Sequence, residues 1–184
     1  DAVTSIRSQL PNVEQFVALE GAKEGWLDYE ATLAAADNGF VRPVIAESDL
    51  ISINYTSGTT ARPKGVTITH RNAYLNVVGT LTHYRVSPKD RYLWTLPMFH
   101  ANGWTFVWTV TARGATHICL RKVEPGAIFE LIDREEISMF CAAPTVLIGI
   151  ANAPDAVRTS ARRGVRLVDS RCAASGRHNR MHRR

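Results

Sequence analysis

Residues 55–66, YTSGTTARPKGV, gather in one window the side chains that can surround a polyphosphate. Gly58 and Gly65 place no Cβ between backbone N–H groups and an anion, Thr56, Ser57, Thr59 and Thr60 offer hydroxyl donors, and Lys64 adds one mobile positive charge. Pro63 fixes φ just before the lysine. Hydroxyl-rich composition also makes ordinary solvated turns. The apolar run LISIN at 50–54, directly ahead, favours the cradle, because phosphate-binding loops follow a strand. The order is not that of the Walker A loop, whose lysine follows the second glycine and opens a helix. Here Lys64 precedes Gly65, and residues 66–68 read as a second strand, which disfavours a P-loop kinase or GTPase.

A second constellation lies at residues 95–104, TLPMFHANGW. Pro97 and Gly103 bracket a loop at the end of a strand, where open α/β sheets place ligands, and Met98, Phe99, His100 and Trp104 would form a mostly apolar wall. An alkyl chain gains about 0.8 kcal/mol per buried CH₂ on such a wall, so selectivity would follow depth. The competing reading makes Trp104, with Phe106 and Trp108, plain core. Taken alone, His100 would be a structural histidine, and only its surroundings argue otherwise.

At these residues the sequence resembles the AMP-forming adenylate ligases, the family of acyl-CoA synthetases, luciferases and peptide-synthetase adenylation domains. YTSGTTARPKGV is similar to their phosphate-loop signature, with Ala61 in place of the usual glycine, and THRN at 69–72 resembles the start of the following helix. TLPMFHANGW is similar to the acyl-pocket motif in the form found in medium- and long-chain fatty acyl-CoA synthetases. The resemblance implies part of a large N-terminal α/β domain and a two-step reaction. A fatty acid carboxylate attacks the α-phosphorus of ATP and releases pyrophosphate, and the thiol of coenzyme A then takes the acyl group. It implies Thr56 as a hydroxyl ligand of Mg2+, with Ser57, Gly58, Thr59, Thr60 and Lys64 on the β- and γ-phosphates. His100 would lie beside the acyl carboxylate, with Trp104 gating the tunnel. The sequence holds no Tyr-Gly-x-Thr-Glu segment to share the magnesium, no ribose aspartate motif and no lid lysine. The expectation is therefore a partial AMP-binding domain over residues 1–168, catalytically incomplete by itself. The alternative is a non-catalytic remnant that binds nucleotide, acyl chain or a protein partner.

The net charge of +5 is unevenly distributed. Residues 1–157 hold thirteen Lys and Arg against sixteen Asp and Glu, whereas 158–184 hold nine Arg against Asp169 alone. An Arg-rich tail can bind nucleic acid or anionic membrane, but 169–184 has no apolar periodicity and no aromatic residue to stack a base. No nucleic-acid partner is expected. The resemblance stops after Val168, and a disordered or frameshift-derived tail is the economical reading. Cys119, Cys141 and Cys172 lack metal or disulfide spacing, and the first two read as core. No apolar run reaches about 18 residues, so a cytoplasmic location is expected, with peripheral membrane contact left open.

Strands are expected at 15–19, 52–55, 65–68, 92–96, 115–120, 137–141 and 165–168, and helices at 30–36, 70–84, 103–111, 127–134 and 145–152. This alternation argues for an α/β fold with a mostly parallel sheet covered by helices on both faces. Thr69 is the expected N-cap of its helix, and Pro125 suits a first turn.

Overall fold

The computed structural model describes residues 2–37, 39–56, 63–157, 164–169 and 179–180. The chain divides into two compact units, Asp1–Val44 and Ile45–Arg184. The first holds α1 (Ala2–Ile6), the two-residue parallel pair β1 (Val17–Ala18) and β2 (Leu27–Asp28), and α2 (Tyr29–Ala35). Asp28 caps α2 by accepting from the Ala31 N–H at 2.8 Å. Phe16 and Trp26 meet at 5.1 Å, with Arg7 over the first ring and Lys23 over the second. These aromatic and cationic contacts supply a local cluster where apolar burial is slight, since this unit has no fully buried hydrophobic side chain among its described residues.

In the second unit, β3 (Leu50–Thr56) and β4 (Lys64–Thr69) form an antiparallel hairpin. It is a sheet of its own, not part of the parallel sheet that the alternation of elements suggests. Thr69 then caps α3 (His70–His83) as expected, through a reciprocal box in which its hydroxyl accepts from Asn72 N–H and the Asn72 side chain accepts from Thr69 N–H.

The larger sheet is built from β5 (Arg91–Trp94), β6 (Thr116–Cys119), β7 (Met139–Ala142) and β8 (Arg166–Asp169), all parallel, plus the short antiparallel β9 (Asn179–Arg180), in the order β6-β5-β7-β8-β9. Apart from β9 and Asp169, the 169–184 tail lies outside the described residues. The period-2 alternation of strands divides the core cleanly. Tyr92, Trp94, Met139 and Cys141 point to one face with Phe106 and Val110 of α5 (Phe106–Ala112). Leu93, Phe140 and Ala142 point to the other, with Ile128, Leu131 and Ile132 of α6 (Pro125–Arg134) and Ile150 of α7 (Pro144–Ala151). Both faces are therefore covered, and the parallel strands read as apolar runs for that reason. Pro125 and Pro144 stand at the first positions of α6 and α7, where their missing N–H costs nothing. Cys141 is buried, but Cys119 is exposed, so the core reading of Cys119 is corrected: it lies on β6, the edge strand of the sheet among the described residues.

The lower, N-terminal ends of the strands are fastened by a polar network that sequence patterning did not reveal. Asp90 is buried and accepts from Ser87 N–H and the Ser138 hydroxyl, both at 2.7 Å, and from Arg166. Burial pushes its carboxyl up, but the bonds from Arg166, Ser138 and the Ser87 amide outweigh that and hold it below the usual aspartate value. Glu135, just after the end of α6, pairs with Arg91 at 2.8 Å. No described helix is long and apolar enough to cross a membrane.

Candidate functional site

In the sheet order β6-β5-β7, the chain leaves β5 toward α5 on one face and leaves β7 toward α7 on the other. Adjacent parallel strands whose exits diverge open a crevice at their carboxyl ends, the place where open α/β sheets bind ligands. Residues 95–105 issue from β5 at that point. Thr95 donates to the Cys141 carbonyl, which pins the exit of β5 to β7, and Leu96 is buried. Met98, Phe99 and His100 follow as exposed side chains, with Phe99 86% exposed. Trp104 is half-buried against the aromatic core.

The segment that carries Trp104 is not the helix start that the sequence suggests. Residues Ala101, Asn102, Gly103, Trp104 and Thr105 have φ of 46°, 49°, 55°, 56° and 62°, a single left-handed turn closed by Thr105 N–H on the Ala101 carbonyl at 3.1 Å. This turn is α4 (Ala101–Trp104), and it runs into α5. For an L-residue that conformation costs about 1–2 kcal/mol, and four of the five are not glycine. Contacts on three sides hold it. Gly103 lies against the Trp94 ring, where any Cβ would collide, and it has the positive φ that glycine tolerates. The Asn102 amide donates to the Ser52 hydroxyl at 3.3 Å, and the Thr105 hydroxyl donates to Asn76 of α3.

Trp94 is itself oriented from beneath. Its indole N–H donates to His117 Nδ1 at 2.9 Å, which leaves the proton of the neutral ring on Nε2, 3.1 Å from the Thr111 hydroxyl. Burial lowers the His117 pKa and so favours this neutral form. Tyr92 stacks on Phe106 at 5.2 Å and meets Trp94 edge-on at 4.9 Å, which completes an aromatic floor under the turn. Cys141 beside that floor is no nucleophile, since burial pushes its thiol up to about 12.

The hairpin presents the other half. Ser57, Gly58, Thr59 and Thr60 lie outside the described residues, but both ends of their loop are placed. Thr56 and Lys64 are register partners on the last rung, both exposed, so a hydroxyl and an ammonium share one face of the loop's mouth. A single exposed hydroxyl in that position fits an oxygen-seeking divalent cation as one ligand out of about six. Ser52, Asn54 and Thr56 alternate on that same face, and Ser52 and Asn54 are half-buried while Ile51, Ile53 and Tyr55 point out. Gly65 departs from its expected role. It is an extended strand residue whose missing Cβ leaves room for Ile53 and the Tyr55 ring, at 3.2 and 3.5 Å from where a Cβ would sit. Ser52 and Asn76 carry no motif of their own. The polar residues at alternate positions of LISIN were the one available signal for an inward polar face.

A family model described as AMP-binding enzyme matches residues 2–178, and the chain belongs to that family. It is 49% identical over 117 residues to the probable CoA ligase CCL11 of Humulus lupulus, an alignment covering 64% of this chain and 21% of that protein. It is 42% identical over 132 residues to the acetate/butyrate–CoA ligase AAE7, peroxisomal, of Arabidopsis thaliana, covering 71% of this chain and 23% of that protein. The chain thus spans about a quarter or less of the length of these relatives. Among solved structures it is similar to the inhibitor-bound N-terminal domain of FACL13 from Mycobacterium tuberculosis, with TM-score 0.69 and 26% identity over 82% of this chain and 40% of that one. It is also similar to ATP-bound MatB from Rhodopseudomonas palustris, with TM-score 0.61 and 27% identity over 71% of this chain and 26% of that one. The α/β fold is that of the N-terminal domain of adenylate-forming ligases.

Proposed function

We propose that these residues form the nucleotide-phosphate and acid-facing part of an AMP-forming acyl-CoA ligase that joins a fatty acid to coenzyme A at the expense of ATP. The observation that carries the reading is the placement of Thr56 and Lys64 on one rung at the mouth of the hydroxyl-rich loop, on the hairpin face that Ser52 turns toward the 101–105 segment. Lys64 and the 57–60 hydroxyls and amides would hold the β- and γ-phosphates, and their charge would favour departure of pyrophosphate. Thr56 would supply one ligand to Mg2+, which would neutralise phosphate charge. The exposed Met98 and Phe99 and the half-buried Trp104 offer an apolar surface to the acid, with His100 on the same loop. The acids that AAE7 is named for, acetate and butyrate, support acid activation and extend the range to short chains.

Equilibrium binding of ATP with magnesium to the purified chain tests the phosphate assignment. Lys64→Ala is expected to weaken binding at least tenfold, and equal affinity would remove Lys64 from the site. Acid-dependent ATP–pyrophosphate exchange, run with acids from two to sixteen carbons, then tests adenylation and the fatty-acid reading together. Exchange that is greatest with acetate would discard the longer acid.

A further inference from the structure

The Trp94 ring is held at two opposite edges. Its benzo edge, Cζ3, Cη2 and Cε3, carries Gly103 of the left-handed turn, and its indole N–H, on the pyrrole side, donates to His117 Nδ1 at 2.9 Å. The two rings lie nearly coplanar, with centroids 5.8 Å apart and planes 5° from parallel. Beyond the imidazole the bonds continue: Nε2 lies 3.1 Å from the Thr111 hydroxyl, and that hydroxyl donates to the Val107 carbonyl at 2.7 Å. Only one arrangement of protons fits this series. An indole nitrogen can only donate, and the single Thr111 hydroxyl proton is committed to Val107, so Nδ1 accepts and Nε2–H donates to Thr111. The bonds all run in one direction, from β5 through β6 to α5, the helix that the turn itself enters. An imidazolium carries a proton on both nitrogens, so its Nδ1–H would face the indole N–H, donor against donor. His117 is exposed on β6, so a solvent proton reaches it without any opening of the fold.

We propose that His117 is a positioning residue for the acid-facing segment: while neutral it fixes the Trp94 ring beneath Gly103, and on protonation it releases the ring, which makes the geometry of the segment pH-sensitive. The name acid-facing rests on the function proposed above; the switch itself does not. The elements around the imidazole bring no charge to oppose the release. From β5, the Tyr92 hydroxyl is kept neutral by burial, which pushes its pKa well up, while Arg91 is turned to the other face and paired with Glu135. Asp90, just before β5, is committed to Arg166 and Ser138. Arg113, at the end of α5, donates to the Val86 carbonyl at 2.9 Å. On β6 itself Cys119 shares the face of His117, and Arg121 lies beyond the end of the strand. Among the described residues no carboxylate is bonded to the ring, and burial lowers the His117 pKa, so release is centred below the ordinary histidine value of 6.5. Trp94 then acts as a lever. Rotation that frees its pyrrole edge also moves the benzo edge, and the positive-φ residues above lose the surface on which Gly103 rests.

¹H–¹⁵N NMR of the purified chain reads both edges of the lever without any ligand. The four tryptophans, Trp26, Trp94, Trp104 and Trp108, give four indole N–H signals, and Trp26→Phe, Trp104→Phe and Trp108→Phe leave that of Trp94 by elimination. Between about pH 8 and about pH 5 the Trp94 indole signal and the Gly103 amide are expected to shift by more than their linewidths. Both should share the midpoint shown by the His117 ring carbons, and that midpoint should lie below 6.5. His117→Asn, whose Oδ1 accepts where Nδ1 does but does not titrate, is expected to keep the downfield, hydrogen-bonded indole proton and to remove its pH dependence. His117→Phe should lose that bond at every pH, and Thr111→Val should admit the Nδ1–H tautomer, read from the ring ¹⁵N shifts. A Trp94 indole signal that does not follow the His117 titration overturns the switch, and so does a Gly103 amide that stays fixed while the indole moves. A pH-dependent shift that persists in His117→Asn belongs to another group and overturns it equally. The wild-type titration decides alone if a variant does not fold. Absence of acid-dependent ATP–pyrophosphate exchange would withdraw the acid-facing role of the segment and leave the switch to these ligand-free spectra.

Discussion

The large sheet and the β3–β4 hairpin solve opposite problems. In β7 all four residues are buried, and β5 places Tyr92, Leu93 and Trp94 between helices on both faces, so these strands are held by apolar contact in every direction. On β3 the apolar side chains face out, with Ile53 54% and Tyr55 74% exposed, while Ser52 and Asn54 turn inward beside their β4 partners Ile68 and Val66. The sheet derives its position from burial, and the hairpin derives its position from a few directed hydrogen bonds. The difference teaches where precision and adjustability reside. The aromatic floor is packed on both sides by apolar contacts, whereas the element carrying Thr56 and Lys64 is tied to the 101–105 turn, among the described residues, by a single hydrogen bond, the kind of link that opens at lower cost.

Breaking the apolar side of this comparison should have the largest effect. Phe140 is fully buried at the centre of the sheet, and Phe140→Ala is expected to cost about 3–5 kcal/mol in urea denaturation. The polar fastening at the lower end of the sheet comes next. Asp90→Asn leaves Arg166 without its carboxylate and should cost about 2 kcal/mol, the scale of lost charge-assisted bonds at a partly exposed partner. Because the folded-state pKa of Asp90 is depressed, its contribution is fully present above the unfolded carboxylate value and is lost as pH falls through the lower folded value. Urea midpoints of wild type and Asp90→Asn should therefore keep a constant gap above about pH 4, the unfolded carboxylate value, and converge as pH falls below it, and a gap that persists unchanged to the acid limit of folding would refute the assignment. The smallest effect sharpens the contrast. Ile53→Thr on the outer hairpin face should change stability by no more than about 0.5 kcal/mol and should raise solubility, as read by light scattering. A loss comparable with that of Phe140→Ala would show that the outer face is packed.

Much of this was legible in the chain because it follows from local rules. The strand and helix series of the second unit, the Thr69 cap and the proline-started helices follow from periodicity and capping chemistry, which act over a few residues. Other features could not be read that way. The polar links Ser52–Asn102 and Asp90–Arg166 join residues 50 and 76 positions apart, and no local pattern marks either partner. The helix expected from 103 begins instead as a left-handed turn, because tertiary contacts on Gly103, Asn102 and Thr105 outweigh the intrinsic preference of those residues.

By itself, the sequence determined the family and the two chemical segments, because YTSGTTARPKGV and TLPMFHANGW each require particular side chains at fixed short spacing. It also determined the two-faced α/β layering, since alternation along each strand dictates which residues must be covered. Only the tertiary structure decided that the hairpin stands apart from the parallel sheet, that Gly65 makes room for Tyr55, and that the two segments are joined through Ser52 and Asn102. The physical reason is range. Steric preference and periodicity act between neighbours in sequence, whereas hydrogen bonds and ring contacts act between neighbours in space, which are defined only once the sheet has formed.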